Sequence, residues 1–152
     1  MKTAITFLGL LTVGAMTAWV PSAVADDPKT MSASEIREVL TTMGAKTSES
    51  KDDEGKTYWM VATKEKATFL LFQYGGKGDL GTSISASAPF DMNLSLADVN
   101  TYNSGHRFVR MFKTDKGIML ESDLDVSVAP SKAVVKKFLA DFSASVSKFT
   151  QE

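Results

Sequence analysis

Residues 94–125 read LSLADVNTYNSGHRFVRMFKTDKGIMLESDLD, and they carry the strongest structural signals of the 152-residue chain. Ser95, followed three residues later by Asp98, has the pattern of a capped helix start, and the next glycine is expected to end that helix. Two β-rich runs, Phe108–Lys113 and Ile118–Val126, then flank a Thr-Asp-Lys-Gly turn. The stretch therefore predicts a capped helix followed by a β-hairpin.

Elements are also predicted on both sides of this stretch. Ser32 and Glu35 form a capping box for a first helix, which Gly44 is expected to end. An apolar stripe at helical spacing follows Pro130 and predicts a last helix. Between the first two helices lie β-rich runs, and the one at 68–73 is apolar on both faces, which predicts a central strand covered on both sides. The other runs lie at 45–48, 57–63 and 83–88.

This order predicts an α+β fold, because the helices are segregated from antiparallel strands. We expect three helices and an antiparallel sheet of five to six strands, in the order α-β-β-(β)-β-α-β-β-α. No internal repeat is visible in the sequence.

The first 25 residues have the pattern of a secretory leader. A basic residue precedes an apolar run from Ala4 to Val20, and the small-residue cleavage pattern A-V-A follows. The alternative, a retained membrane helix, is disfavoured because Pro21 breaks a run that is barely long enough to span a bilayer. We therefore predict a periplasmic or secreted protein with a cleaved signal peptide at 1–25, a short polar lead at 26–30 and a single domain at 31–152.

The composition limits the kinds of active site and partner that we expect for this chain. The chain has no cysteine, which excludes thiol catalysis and cysteine metal sites. Its formal net charge of −1 gives no general attraction to nucleic acid. No long apolar segment follows the leader, so no membrane association is expected after cleavage.

The central stretch resembles the core motif of the YbjN family of bacterial sensory transduction regulators. That motif is a helix of the form L-x-x-V-N-x-[WY]-N, then R-F-x-R, D-x-x-G and L-E-x-D-L-D. Here Gly117 follows Asp115 at a family-like distance. The residues that carry the resemblance are Leu96, Val99, Asn100, Tyr102, Asn103, Arg107, Phe108, Arg110, Asp115, Gly117, Leu120, Glu121, Asp123, Leu124 and Asp125.

The resemblance extends from about residue 31 to residue 149, and it has implications for the fold, the activity and the oligomeric state. It implies a fold similar to that of type III secretion chaperones, with helices packed on a curved antiparallel sheet. It implies no reaction, because the family has none assigned. It also makes a homodimer plausible, by analogy with those chaperones.

Three groups of residues have side chains or spacing that could support binding or catalysis. Glu121, Asp123 and Asp125 alternate on one strand face and could bind a divalent cation, but a solvated face with Arg110 paired to Glu121 is the favoured reading. His106 is the only histidine and is expected to interact with a helix end rather than to act as a base. The glycine-rich loop at 75–81 lacks the P-loop pattern and reads as a hairpin connection. No catalytic, metal or cofactor residue is predicted.

Two asparagines in one helical turn are unusual, because asparagine is a poor helix former. Asn100 and Asn103 are therefore candidates for a specific task. A structural task would be side-chain hydrogen bonds that hold the helix against the following strand. A functional task would be contact with a ligand. The structural task is favoured.

The second face of the hairpin is the candidate partner-binding surface. If Met111 pairs with Leu120, one face carries aromatic, methionine and arginine side chains of the types enriched at interfaces. The alternative, cover by the chain's own helices, is also open. The candidate partner-binding residues are Phe108, Arg110, Phe112, Met119 and Glu121.

Taken together, these patterns predict a non-enzymatic periplasmic domain that binds an unidentified protein partner or regulates through it, without a cofactor. The alternative is a sensor domain that responds to a small molecule or a metal.

Overall fold

The computed structural model describes residues 30–53, 56–75 and 80–151. The predicted leader, and all of the polar lead except Thr30, lie outside these residues. No helix within the described ranges is long and apolar enough to span a bilayer. The elements in chain order are β1 (Met31–Ser32), α1 (Ala33–Thr42), β2 (Lys46–Lys51), β3 (Thr57–Ala62), β4 (Thr68–Tyr74), β5 (Leu80–Gly81), β6 (Ser83–Phe90), α2 (Leu96–Gly105), β7 (Arg110–Thr114), β8 (Gly117–Asp125) and α3 (Lys132–Phe149).

Six of the strands form one antiparallel sheet with the order β2-β3-β4-β6-β8-β7. The two-residue strands β1 and β5 pair separately, with Met31 opposite Gly81. Sequence patterns did not predict this small ladder. The expected α+β fold, with three helices and an antiparallel sheet in the expected order, is confirmed.

Both predicted capping boxes are present. At α1 the Glu35 N–H donates to Ser32 Oγ, and the Ser32 N–H donates back to Glu35 Oε2 at 2.9 Å. At α2 the Ser95 N–H donates to Asp98 Oδ2 at 3.0 Å, and the Asp98 N–H donates to Ser95 Oγ. Each box satisfies two backbone donors that a helix start would leave free.

The core lies between α3 and one face of the sheet. α3 packs across β4, β6 and β8 and also contacts α1. Phe142 of α3 and Phe69 of β4 are both buried, and their rings meet edge to face at 5.2 Å between centroids. Val135 and Leu139 of α3 are fully buried as well. The last helix thus joins strands from both halves of the chain.

A close backbone approach explains the glycine at the end of the hairpin turn. Gly117 has a φ of +133°, in a region that residues with a side chain rarely adopt. A Cβ at this position would collide with the carbonyl oxygen of Phe90 on β6. The turn therefore needs glycine both for its backbone angle and for strand packing.

Three expectations need correction. β2 extends to Lys51 instead of ending at residue 48, and all of its side chains are exposed. β7 begins at Arg110 rather than at Phe108. β4 is central in the sheet, but within the described residues helices cover only one of its faces, because α3 packs on the face that carries Phe69. On the other face, Phe72 is only partly buried.

Candidate functional site

The face of the sheet opposite α3 is called the open face here. The strand register places its side chains in rows that cross several strands. One row runs from Tyr58 through Phe72 and Ser85 to Asp123. The residues that share this face include Tyr58, Met60, Leu70, Phe72, Tyr74, Ser85, Ser87, Arg110, Phe112, Met119, Glu121 and Asp123.

Aromatic side chains form the β3–β4 side of the open face. The rings of Tyr58 and Phe72 lie 5.3 Å apart, and those of Phe72 and Tyr74 stack at 6.0 Å. Partial burial raises the pKa of Tyr74, and the nearby Glu121 carboxylate acts in the same direction. Met60 and Tyr74 are 45% and 42% exposed, so large apolar groups meet solvent here.

Small side chains form the middle of this face. Ser85 and Ser87 lie on β6 between the larger side chains of β4 and β8, and both are buried. The Ser85 hydroxyl donates to Glu121 Oε1 at 3.0 Å. The larger side chains of the neighbouring strands therefore cover the two serines.

Four of the five predicted partner-binding residues lie side by side on the open face. Arg110 is opposite Glu121, and Phe112 is opposite Met119, as the predicted register required. The predicted Arg110–Glu121 ion pair is wrong: Glu121 takes its hydrogen bond from Ser85, and no ion pair involves Arg110 among the described residues. Phe112 is 41% exposed.

The fifth residue, Phe108, lies outside the strand. Its side chain is 83% exposed, and its carbonyl oxygen accepts a hydrogen bond from the Ser122 hydroxyl at 2.5 Å. The aromatic residues of β3 and β4 were not among the predicted site residues. The doubly apolar pattern of β4 was their signal, but that pattern was read as a strand covered on both sides.

A groove of about 760 Å³ lies where the end of β8 faces α3. We call it the β8-edge groove. Its borders include Phe108, Asp123, Leu124, Val134 and Phe138. Lys137 and Asp141, also at its rim, form an ion pair at 2.8 Å and so largely neutralise each other.

The two asparagines of α2 have different environments. Asn103 bonds to the backbone of Met111 through both ends of its side-chain amide, at 2.7 and 3.0 Å. These bonds hold α2 against β7, the structural task that its place in the sequence suggested. Asn100 is exposed, and its side chain forms no hydrogen bond with the described residues.

His106 follows the last residue of α2 and caps it. Its Nδ1 donates to the carbonyl oxygen of Tyr102 at 2.8 Å, and the two rings stack 3.9 Å apart. This is the helix-end interaction that the sequence predicted. Within the described ranges, no group of three histidine, aspartate or glutamate side chains is arranged to hold a metal ion. Glu121, Asp123 and Asp125 thus do not converge.

Comparison with known proteins gives one family match. The model of the YbjN family, described as "Putative bacterial sensory transduction regulator", matches residues 32–152. No curated protein matches the chain. Among solved structures, the Yersinia pestis type III secretion chaperone SycH, in complex with a stable fragment of YscM2, resembles it with a TM-score of 0.44 and 17% identity, over 74% of this chain and 97% of that one.

Proposed function

Because this chain belongs to the YbjN family, we propose that it is a non-enzymatic regulatory domain that holds a protein partner on the open face of its sheet. We further propose that it does so in the periplasm, after removal of residues 1–25. The family description, that of a sensory transduction regulator, supports a regulatory role.

The observation that carries the proposal is the uncovered apolar side of a six-stranded sheet. Met60, Tyr74 and Phe112 are each more than two-fifths exposed and belong to one face. Exposed aromatic, methionine and arginine side chains on one face are of the types that are enriched at interfaces.

A pull-down from periplasmic extract, read by mass spectrometry, tests this proposal. The protein is taken from the cells that produce it, tagged at its C-terminus so that leader processing is undisturbed. We expect a partner that is retained by the native chain and lost with Phe72→Asp. Thr41→Asp, an exposed change on α1 away from the face, is the matched control. Equal capture by the native and Phe72→Asp chains would place binding elsewhere.

Location is tested on the same cells. N-terminal sequencing of the purified protein is expected to begin at Asp26, and cell fractionation is expected to recover it from the periplasm or the medium. An intact N-terminus in the cytoplasmic fraction would contradict the location.

The β8-edge groove favours a second candidate function, a small-molecule sensor. Its volume of about 760 Å³ is within the range of ligand pockets, and its walls combine apolar groups with Arg107 and Arg110. A ligand that binds only the folded chain raises its melting temperature. A thermal-shift screen of metabolites and divalent cations therefore separates this candidate from the first: stabilisation that Val134→Asp abolishes supports a sensor.

A further inference from the structure

Strand β8 has neighbours of unequal length. β6 pairs with it as far as Asp125, whereas β7 stops pairing at Glu121. The end of β8 therefore has a strand on one side only. Phe108, which would stand opposite Asp123 if β7 continued, is instead bonded through its carbonyl to the Ser122 hydroxyl. The β8-edge groove, which Phe108, Ser122 and Asp123 line, leaves room beside the end of β8.

The direction of the free backbone groups follows from bonds at either end of β8. Met111 directs its N–H and C=O to Asn103, away from β8, so its partner Leu120 directs its own groups to β6. The Val126 N–H also points to that side, where it donates at 2.9 Å to the carbonyl oxygen of Thr82, the residue before β6. Because these groups alternate along an antiparallel strand, the N–H and C=O of Asp123 point to the open edge.

The walls of the β8-edge groove suit an extended chain. Side chains of a strand alternate between its two faces, so a strand placed here would point every second side chain toward α3. On that side it would meet Leu124, Val134 and Phe138, which are apolar. The intervening side chains would stand beside Asp123 on the open face.

Charge indicates what those intervening side chains should be. The Asp123 carboxylate is exposed and has neither a hydrogen bond nor an ion pair with any described residue. Glu121 and Asp125 flank it on the same face of β8, and Arg110 lies opposite Glu121. Arg107 also lines the groove, and so does Lys137, which is paired with Asp141. Opposite charges stabilise directly paired positions of neighbouring strands. A lysine or arginine opposite Asp123 is therefore the complementary residue.

We infer that the end of β8 binds an extended peptide segment as an added strand, with basic residues on one side and small apolar residues on the other. Strand addition of this kind takes its affinity from main-chain hydrogen bonds and its selectivity from alternate side chains. The inference rests on the proposed function in requiring a protein partner. It places that partner at the end of β8, where Arg110 and Phe112 belong both to the open face and to the groove, and not on the aromatic side chains of β3 and β4.

A second copy of the chain is a poorer occupant of this edge. Pairing two β8 ends would bring the carboxylates of Asp123 and Asp125 close to their equivalents in the other copy. Like charges at paired positions destabilise a ladder, and charged edges are a common defence against self-association. The open edge therefore favours a partner of opposite charge.

The test is an NMR titration of the protein purified from its producing cells with three blocked peptides. They are Lys-Val-Lys-Val-Lys, Glu-Val-Glu-Val-Glu and the rearranged Val-Val-Lys-Lys-Lys. We expect the first to shift the Asp123 amide and protect it from exchange, and to bind about tenfold more tightly than the other two. No saturable shift with the alternating lysine peptide, or shifts centred on Tyr58 and Phe72, would overturn the inference.

Two pairs of variants sharpen the test. Asp123→Lys should reverse the preference between the lysine and glutamate peptides, whereas Asp91→Lys, an exposed change outside the groove, should not. Val134→Asp should weaken binding, and Val128→Asp, which is 74% exposed outside the groove, should not. The inference is refuted if the Asp123→Lys chain still prefers the lysine peptide to the glutamate peptide. It is also refuted if protection of the Asp123 amide from exchange rises with protein concentration when no peptide is present. Phe72→Asp should leave peptide binding intact, so failure here is separable from failure of the proposed function.

Discussion

The side chain of Asn103 pairs with the backbone of Met111 as a neighbouring strand would. The Met111 N–H donates to Asn103 Oδ1 at 2.7 Å, and Asn103 Nδ2 donates to the Met111 carbonyl oxygen at 3.0 Å. One side chain thus fastens α2 to the outer edge of β7 and occupies both backbone groups of Met111. Because β7 is the edge strand of the sheet, these two bonds also limit pairing there with another chain.

Replacing Asn103 with alanine should lower the free energy of unfolding by about 2 kcal/mol, because two hydrogen bonds of about 1 kcal/mol each are lost. Asn100→Ala, one turn earlier and exposed, should change it by less than about 0.5 kcal/mol. Urea denaturation of both variants measures the difference. Equal effects would mean that the Met111 bonds contribute little.

The capping box of α2 makes a prediction about pH. Hydrogen bonds from the Ser95 side chain and backbone hold the pKa of Asp98 below the ordinary aspartate value. The folded pKa is then lower than the unfolded one, so the box stabilises the folded chain above the unfolded pKa, and this contribution is lost as the pH falls through the folded pKa. Ser95→Ala should move the Asp98 pKa up toward its usual value, as measured by NMR titration. If the Asp98 pKa is the same in Ser95→Ala as in the native chain, the Ser95 hydroxyl is not what lowers it.

The edge-to-face pair of Phe142 and Phe69 should make the docking of α3 sensitive to truncation. Phe142→Ala removes a fully buried ring and should cost about 3–5 kcal/mol in the free energy of unfolding. Phe108→Ala removes a ring of the same size that is 83% exposed, and it should cost little. Thermal or urea denaturation compares them, and similar costs would be inconsistent with the packing described.

Interface variants on the hairpin should separate binding from folding. Phe112→Asp and Arg110→Glu each change an exposed open-face residue, and we expect either to abolish partner capture while the circular dichroism spectrum and melting transition stay close to native. Val128→Asp, in the exposed turn after β8, is the control. A folded Phe112→Asp chain that still captures the partner would remove this part of the face from the interface.

Amide exchange should alternate along the end of β8. The amides of Ser122 and Leu124 point to β6 and should exchange slowly, whereas the Asp123 amide points to the open edge and should exchange quickly. Hydrogen–deuterium exchange followed by NMR resolves the three positions. Uniform protection would show that another segment covers the edge.

Local sequence signals predicted much of this fold. The capping boxes at Ser32 and Ser95 depend on residues three positions apart, and the hairpin register follows from a turn that ends in Gly117. The contact of Asn103 with the following strand could also be predicted, because Met111 is only eight residues away in the sequence.

Contacts between residues far apart in the sequence could not be predicted from these local signals. Nothing near Glu121 in the sequence identifies Ser85, 36 residues earlier, as its hydrogen-bond donor. The apolar pattern of β4 cannot tell a face covered by a helix from a face left uncovered, because both faces carry leucine and phenylalanine. Which face α3 covers depends on the strand order β4-β6-β8, and that order is set by contacts across the whole chain.

The position of α3 has a consequence for how the protein is made. Its buried side chains complete a core whose other walls come from β4, β6 and β8, and α3 follows all of these strands in the chain. A ribosome therefore has to synthesise every strand before the segment that stabilises them exists. We expect the growing polypeptide to stay unfolded until its last helix emerges, which leaves a long interval in which chaperones or a translocation machinery can engage it.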